Sequence, residues 1–471
     1  MAQSAFEQQL KSLAGAITWQ GNHVVVDDET KLPAKIDDLI HAAVFGDPES
    51  KAAAQWLIWE TAQALDIRPA SIHGFYRALG RGEISHRFTV PAMNLRMMAY
   101  DSARAVFRTA CRLDAGAFVF EIARSEIGYT DQRPAEYTSA VLAAAIREGF
   151  RGPVFIQGDH FQASAKKYAA SPEVEVKAIR DLILEAAAAG FFNIDIDTST
   201  LVDLSKSTLD EQQKINYDLC ADFTRFIREN EPEGVVTSIG GEIGEVGQKN
   251  STPEDLDAFM KGYERKRGGI EGISKISVQT GTSHGGVVLP DGTLAGVAID
   301  FDVLRVLSEK ARRVYGMAGA VQHGASTLPE SAFHKFVEAG TCEVHLATAF
   351  QTLIIEHEAV PESLRQQMVE WVKTNAADEK KPKDTEAQFL YKTRKKAVGP
   401  FKKQFWTLPQ ASREAIRESL EQTFLLLFEK LNIAATNDLM KRHIRLPEIH
   451  RPLPSGGIKS VRGESVDGLA D

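Results

Sequence analysis

The sequence predicts a (β/α)8 TIM barrel with helical N- and C-terminal extensions. Three observations predict it: eight short β-type runs, helix-period segments between them, and polar residues gathered where the runs end. The runs are VPAMNL (90–95), AFVFEIA (117–123), VFIQGDH (154–160), NIDIDTS (193–199), VVTSIGGE (235–242), ISKISVQT (273–280), MAGAVQH (317–323) and TCEVHLAT (341–348). The third, with a Pro before it and a Gly after its apolar residues, reads as buried on both faces, so Asp159 and His160 should sit where it leaves the core. Between the runs, DSARAVFRTACRL, EVEVKAIRDLILEAAAAG and LPESAFHKFVEAG space apolar residues as helices do, and the last two end on glycine. Strand and helix in alternation make a parallel sheet through right-handed crossovers, and eight such units close into a barrel. An open doubly wound sheet is the alternative, but no GxGxxG follows the first run.

The barrel is expected over 88–358. Residues 1–87 read as a helical extension (KIDDLIHAAVFGD, SKAAAQWLIWETAQAL) and 359–450 as another (PESLRQQMVEWVKTN, QASREAIRESLEQTFLLLFEKL), while 451–471 is Gly- and Ser-bearing and expected to be mobile. A length of 471 residues accommodates one barrel with such additions. Apolar residues at 43% and charged residues at 25% are ordinary globular usage, and a net charge of −9 argues against a general nucleic-acid surface. Three scattered cysteines, Cys111, Cys220 and Cys342, suggest neither a disulfide framework nor a thiolate zinc site, and fit a reducing cytoplasm. The N-terminus lacks the look of a secretory signal, and no run approaches the ~18 apolar residues that span a bilayer, so no membrane partner is expected.

Active sites of this fold collect at the C-terminal ends of the strands. There the sequence places Asp159-His160, Asp195 and Asp197, Glu242, His284, His323 and Thr348. Neutral imidazole is the commonest transition-metal ligand, and three histidines with one open position is a catalytic zinc pattern. A lone strand-end histidine is more often structural, but three of them with Glu242 point to a metal. Asp195 and Asp197 share one face by the period of two, so either can be satisfied inside the barrel. His345 reads as a fourth ligand, a substrate contact or a packed histidine. The basic run KTRKKAVGPFKK (392–403) is either a solvated face or a reach toward an anionic substrate.

These residues resemble the class II, zinc-dependent ketose-bisphosphate aldolases, the family of the fructose- and tagatose-bisphosphate enzymes. The likeness spans roughly 88–350 with an echo near 396–430: GDH, IDIDTS, GEIGEVG, GTSHGG and VQHGASTLPE with VHLATAF stand in the family's order and spacing. The resemblance implies that His160, His284 and His323 hold Zn2+, that Glu242 serves a second divalent position, and that Asp197 is a secondary metal or hydrogen-bonding group. It implies Asp159 as general acid/base at the C4 hydroxyl of the ketose, and Gly285, Gly324, Ser326 and Thr348 around the dihydroxyacetone phosphate end, with Na+ or K+ near that phosphate. It implies a phosphorylated sugar as substrate and a homo-oligomer, dimer or tetramer. The residues agree, since cleaving C3–C4 leaves charge that a Lewis acid stabilises, and no strand-end lysine offers a Schiff base. The chain departs from the family in four places. His345 replaces its last-strand Asn, QKNSTPEDL follows GEIGEVG where an acidic loop supplies a second acid, and Ala123 and Val287 stand where it carries Ser and an aromatic. A non-catalytic partner subunit and a metal-dependent hydrolase are therefore the rival readings, the second weakened by the lack of an HxH pair in the first run.

Overall fold

A computed structural model describes residues 2–244, 249–281, 289–290, 299–454 and 469. Eight parallel strands close on themselves. They are β1 (Val90–Asn94), β2 (Val119–Ala123), β3 (Gly152–Gln162), β4 (Asn193–Asp197), β5 (Ser238–Glu242), β6 (Lys275–Ser277), β7 (Ala320–Gln322) and β8 (Glu343–Leu346). Each pairs with the next, and β8 pairs back to β1 through Glu343↔Val90 to Leu346↔Met93. All eight expected runs therefore supply a barrel strand. The helices between them pack outside, and those ending at Ala189 and Glu338 stop just before Gly190 (φ +94°) and Gly340 (φ +65°), left-handed positions that glycine takes without steric cost.

The N-terminal region is largely helical, but it also carries a hairpin, Ile17–Gln20 with His23–Val26, and a short strand, Ile67–Pro69, that lies along the start of β3. Extra length makes this possible, since β3 runs eleven residues where its neighbours run three to five. Helices Glu362–Asn375 and Gln410–Lys430 belong to the C-terminal region. The second packs on helix Ala99–Leu113, where Arg417 pairs with the buried Asp101 at 2.5 Å. Arg451 lies 3.3 Å over the ring of Trp59 and its N–H donates to Glu60 at 2.9 Å. Among the described residues no helix is long and apolar enough to cross a membrane.

The apolar core fills the space between strands and helices. The barrel's interior is different: Glu121 of β2, Gln157 of β3, Asp195 of β4, Lys275 of β6, and Glu343 and His345 of β8 are all buried, and they touch one another inside it. Glycine on β5 makes room for them, since a Cβ at Gly240 would stand 2.3 Å from Asp195 Oδ1.

Candidate metal centre

The centre begins with an irregularity in β3. Its register against β4 shifts between Gly158 and Phe161, and His160 takes a φ of +39°, a conformation that is sterically costly for a residue with a Cβ. Neighbours along a regular strand face opposite sides. The bulge turns Asp159 and His160 to the same side, and β3 continues beyond them to Gln162 instead of ending there.

His160 is clamped on one nitrogen. Its Nδ1 lies 3.0 Å from Asp197 Oδ2 and 3.5 Å from Glu242 Oε2, while Gln162 donates to the same Asp197 oxygen at 2.5 Å. Ser199 holds the other Asp197 oxygen through N–H and hydroxyl at 3.0 and 2.6 Å. With Nδ1 so occupied, Nε2 faces Asp159 Oδ1 at 4.0 Å, and the ring lies 4.4 Å from that of His323. His323 Nε2 stands 3.5 Å from the same Oδ1, and His345 Nδ1 3.3 Å. Three imidazoles, from β3, the end of β7 and β8, thus meet around one carboxylate oxygen that has no well-aligned hydrogen-bond donor among the described residues.

Below them lies the polar interior. His345 Nε2 is 2.7 Å from Glu343 Oε1 and its Nδ1 is 2.9 Å from Glu121 Oε2. Lys275 Nζ donates to Gln157 Oε1 at 2.8 Å, to Asp195 Oδ2 at 2.9 Å and to Glu343 Oε1, while Tyr76 Oη donates to Glu343 Oε2. Burial disfavours the lysine's charge, but the two carboxylates outweigh it and raise its pKa, so Lys275 is a fixed ammonium and the wrong form for imine chemistry.

Electrostatics divide the groups. Burial would raise Asp159, but the His160 and His345 charges hold its carboxyl well below the usual range. Burial likewise opposes the positive charge on His160 and His345, yet the surrounding carboxylates raise both. His323 is held well below by burial and by the two other imidazoles. Glu242 is pushed up to about 8 by burial and the Asp197 charge, and Glu121 to about 8 by burial and the Asp159 charge. The carboxylates crowd together strongly enough that some keep protons unless a cation replaces them.

That donor set fits a divalent metal. Asp159, His160 and His323 each offer one ligand atom, and these atoms lie within 4.8 Å of one another. His160, held by Asp197, has the carboxylate partner that metal-binding imidazoles usually have. Of the residues expected at the site, Asp159, His160, Asp197, Glu242, His323 and His345 come together. His284 and Gly285 lie outside the described residues, as does Val287. Gly324 follows His323 with φ +70°, and the Ser326 hydroxyl accepts from Ala347 N–H at 2.8 Å. Thr348 opens the helix after β8. Ser326 also lines a cavity of about 630 Å³ with Leu346, Phe350, His357, Thr423 and Leu427, between the end of β8 and helix Gln410–Lys430.

The expectations omitted Glu121, Gln157, Lys275 and Glu343. A signal was present: each stands two residues before a rim position on its own strand (Ala123, Asp159, Ser277, His345), so the period of two puts it on the inward face one layer down. Arg96 was also omitted, and Lys395 belongs to the basic run 392–403 that was left open between solvent and an anionic substrate. Buried Arg96, just past β1, pairs with Glu126 Oε1 at 2.6 Å, and Asn94 donates to Glu126 Oε2 at 2.5 Å. The 3-10 turn Arg394–Ala397 packs on helix Arg124–Tyr129, placing Lys395 in the field of Arg96 and Glu126. Burial and the Arg96 charge lower the Lys395 ammonium to about 8.

No curated protein matches this sequence. Among solved structures, a putative fructose-1,6-bisphosphate aldolase from Coccidioides immitis is 18% identical over 78% of this chain and 97% of its own, with a TM-score of 0.45. A probable tagatose 6-phosphate kinase from Sinorhizobium meliloti is 16% identical over 75% and 99%, at 0.50. A glycerol-bound fructuronate-tagaturonate epimerase from Cohnella laeviribosi is 13% identical over 74% and 82%, at 0.53. At these identities the last two share the barrel fold and nothing finer follows from them. The sequence model of the class-II fructose-bisphosphate aldolases matches residues 83–410, most of the chain, and the protein belongs to that family.

Proposed function

We propose that the protein is a zinc-dependent aldolase that reversibly cleaves a phosphorylated ketose to dihydroxyacetone phosphate and an aldehyde. One observation carries this reading: a buried carboxylate oxygen, Asp159 Oδ1, stands 3.5 Å from His323 Nε2 and 4.0 Å from His160 Nε2, so an acid/base group adjoins the imidazoles that would hold the ion. His160 and His323 would hold it, together with His284, and when bound it supplies Lewis-acid stabilisation of the charge left by C3–C4 cleavage. Asp197 keeps the His160 ring in place through Nδ1. Asp159, ionised and adjacent, accepts the C4 hydroxyl proton on its carboxylate and returns it in the synthetic direction. Since Lys275 stays a paired ammonium, the alternative electron sink, a lysine imine, is disfavoured.

The deciding experiment is a screen of ketose mono- and bisphosphates for triose-phosphate release. Release should cease on treatment with dipicolinate and return on adding Zn2+. Chelator-insensitive turnover, or an epimerised ketose with no triose phosphate, would overturn the assignment.

Arg96 and Lys395 meet the anionic end of the substrate in this reading, Arg96 while paired with Glu126. Lys395 is charged below about pH 8 and loses its proton above it, so anion binding is full at low pH and fades as pH rises through that value. Lys395→Met should raise KM about tenfold at pH 7, the effect of losing roughly 1.4 kcal/mol of a charge-assisted contact. Wild-type KM should climb across pH 8 while that of the variant stays level; parallel profiles would remove Lys395 from the site.

A further inference from the structure

We propose that Glu121 Oε2, Asp159 Oδ1 and His345 Nδ1 form a second divalent-cation position, beside the one at His160 and His323 and sharing Asp159 with it. It is distinct from the place that the family resemblance gives to Glu242.

Spacing is the first ground. His345 Nδ1 is 2.9 Å from Glu121 Oε2 and 3.3 Å from Asp159 Oδ1, and the three atoms lie within 4.8 Å of one another. Ligands held about 2.0–2.2 Å from one ion stand roughly 3.0–3.5 Å apart. Alignment is the second. His345 and Asp159 are buried, and despite these short separations neither Nδ1 nor Oδ1 has a well-aligned hydrogen-bond partner among the described residues. Atoms that are close but not aimed at each other are arranged as ligands are, toward a common point.

The surrounding residues give the third ground. His345 Nε2 is 2.7 Å from Glu343, and Glu343 is itself fixed by Lys275 and Tyr76. On binding an ion the imidazole gives up its Nδ1 proton, an N–H at Nε2 donates to Glu343 and the Nδ1 lone pair faces Glu121 and Asp159; a carboxylate behind the far nitrogen is the usual companion of a metal-bound imidazole. Gln157 Nε2 donates to Glu121 Oε2 at 3.1 Å and steadies that carboxylate. Charge is the fourth. Glu121, Asp159, Asp195, Asp197 and Glu343 are buried and Glu242 is nearly so, and among the described residues Lys275 is the ammonium in contact with this group, through Asp195 and Glu343. With the imidazoles neutral as ligands and the carboxylates ionised, one divalent ion and that ammonium offset half of the six charges, and a second ion two of the remaining three. One nitrogen and two oxygens suit Zn2+, Mn2+ or Co2+, and a carboxylate shared between two ions is an established catalytic arrangement.

The test counts metal and needs no turnover, so it stands apart from the reaction proposed above. The full chain is loaded with Mn2+, freed of excess by gel filtration, and measured by elemental analysis beside Glu121→Gln. Wild type should hold one ion more per chain than the variant; equal contents would overturn the proposal. Should Glu121→Gln fail to fold, the Mn2+-loaded wild type decides by electron paramagnetic resonance. An exchange-coupled pair spectrum supports the shared Asp159, and isolated-ion spectra alone refute it.

Discussion

Asp159→Asn should lower kcat for ketose-phosphate cleavage by about 10²–10⁴, the usual contribution of a positioned general acid/base. The substitution keeps shape and removes the ionised carboxylate that the imidazoles of His160 and His345 hold charged. Metal at His160 and His323 should persist, because those ligands come from β3 and the end of β7 and His160 is fixed independently by Asp197. A coupled triose-phosphate assay and a metal determination on the same sample check both parts. Unchanged kcat would remove Asp159 from the chemistry, whereas loss of the ion at His160 and His323, beyond the one shared with Glu121 and His345, would make it a ligand first.

The largest effect on stability should come from Lys275→Met. Methionine fills about the same space, but Asp195 and Glu343 then lose their shared counter-ion inside the barrel. Removing one partner of a buried ion pair typically costs about 3–5 kcal/mol, since the other charge stays uncompensated. Its pH dependence identifies the cause. Without the ammonium the folded-state pKa of Asp195, already above its unfolded value, rises further, so the cost is full at pH 8 and shrinks as Asp195 takes up a proton toward pH 5. Asp195 already stands at about 6 with the lysine present, raised by burial. Urea midpoints at pH 8 and pH 5 measure this, and an equal loss at both values would mean that Lys275 contributes packing alone.

The two predictions test layers of the site that were not equally legible. The rim was readable: Asp159, His160, Asp197, Glu242 and His323 could be picked out because active-site residues of a parallel barrel gather at strand ends, and strand ends show as polar residues closing apolar runs. The layer beneath was not picked out, although Glu121, Gln157, Lys275 and Glu343 stand at the right period. A charged residue inside an apolar run has no visible partner in one dimension, and a buried charge is tolerable only when partners arrive from other strands. Those of Lys275 are 80 and 68 residues away in the chain. The basic run near 395 was ambiguous for the same reason, since solvent and a guanidinium just past β1 are equally invisible from its own sequence.

By itself the sequence determined the barrel and its eight strands, because strand and helix periods are local properties and eight alternating units have few ways to close. Only the tertiary structure decided that His160 shares a side with Asp159, that three imidazoles meet at one oxygen, and that a lysine-centred network fills the interior. The physical reason is that a bulge and a buried counter-ion are set by registers between strands, and those registers exist only once the barrel has closed.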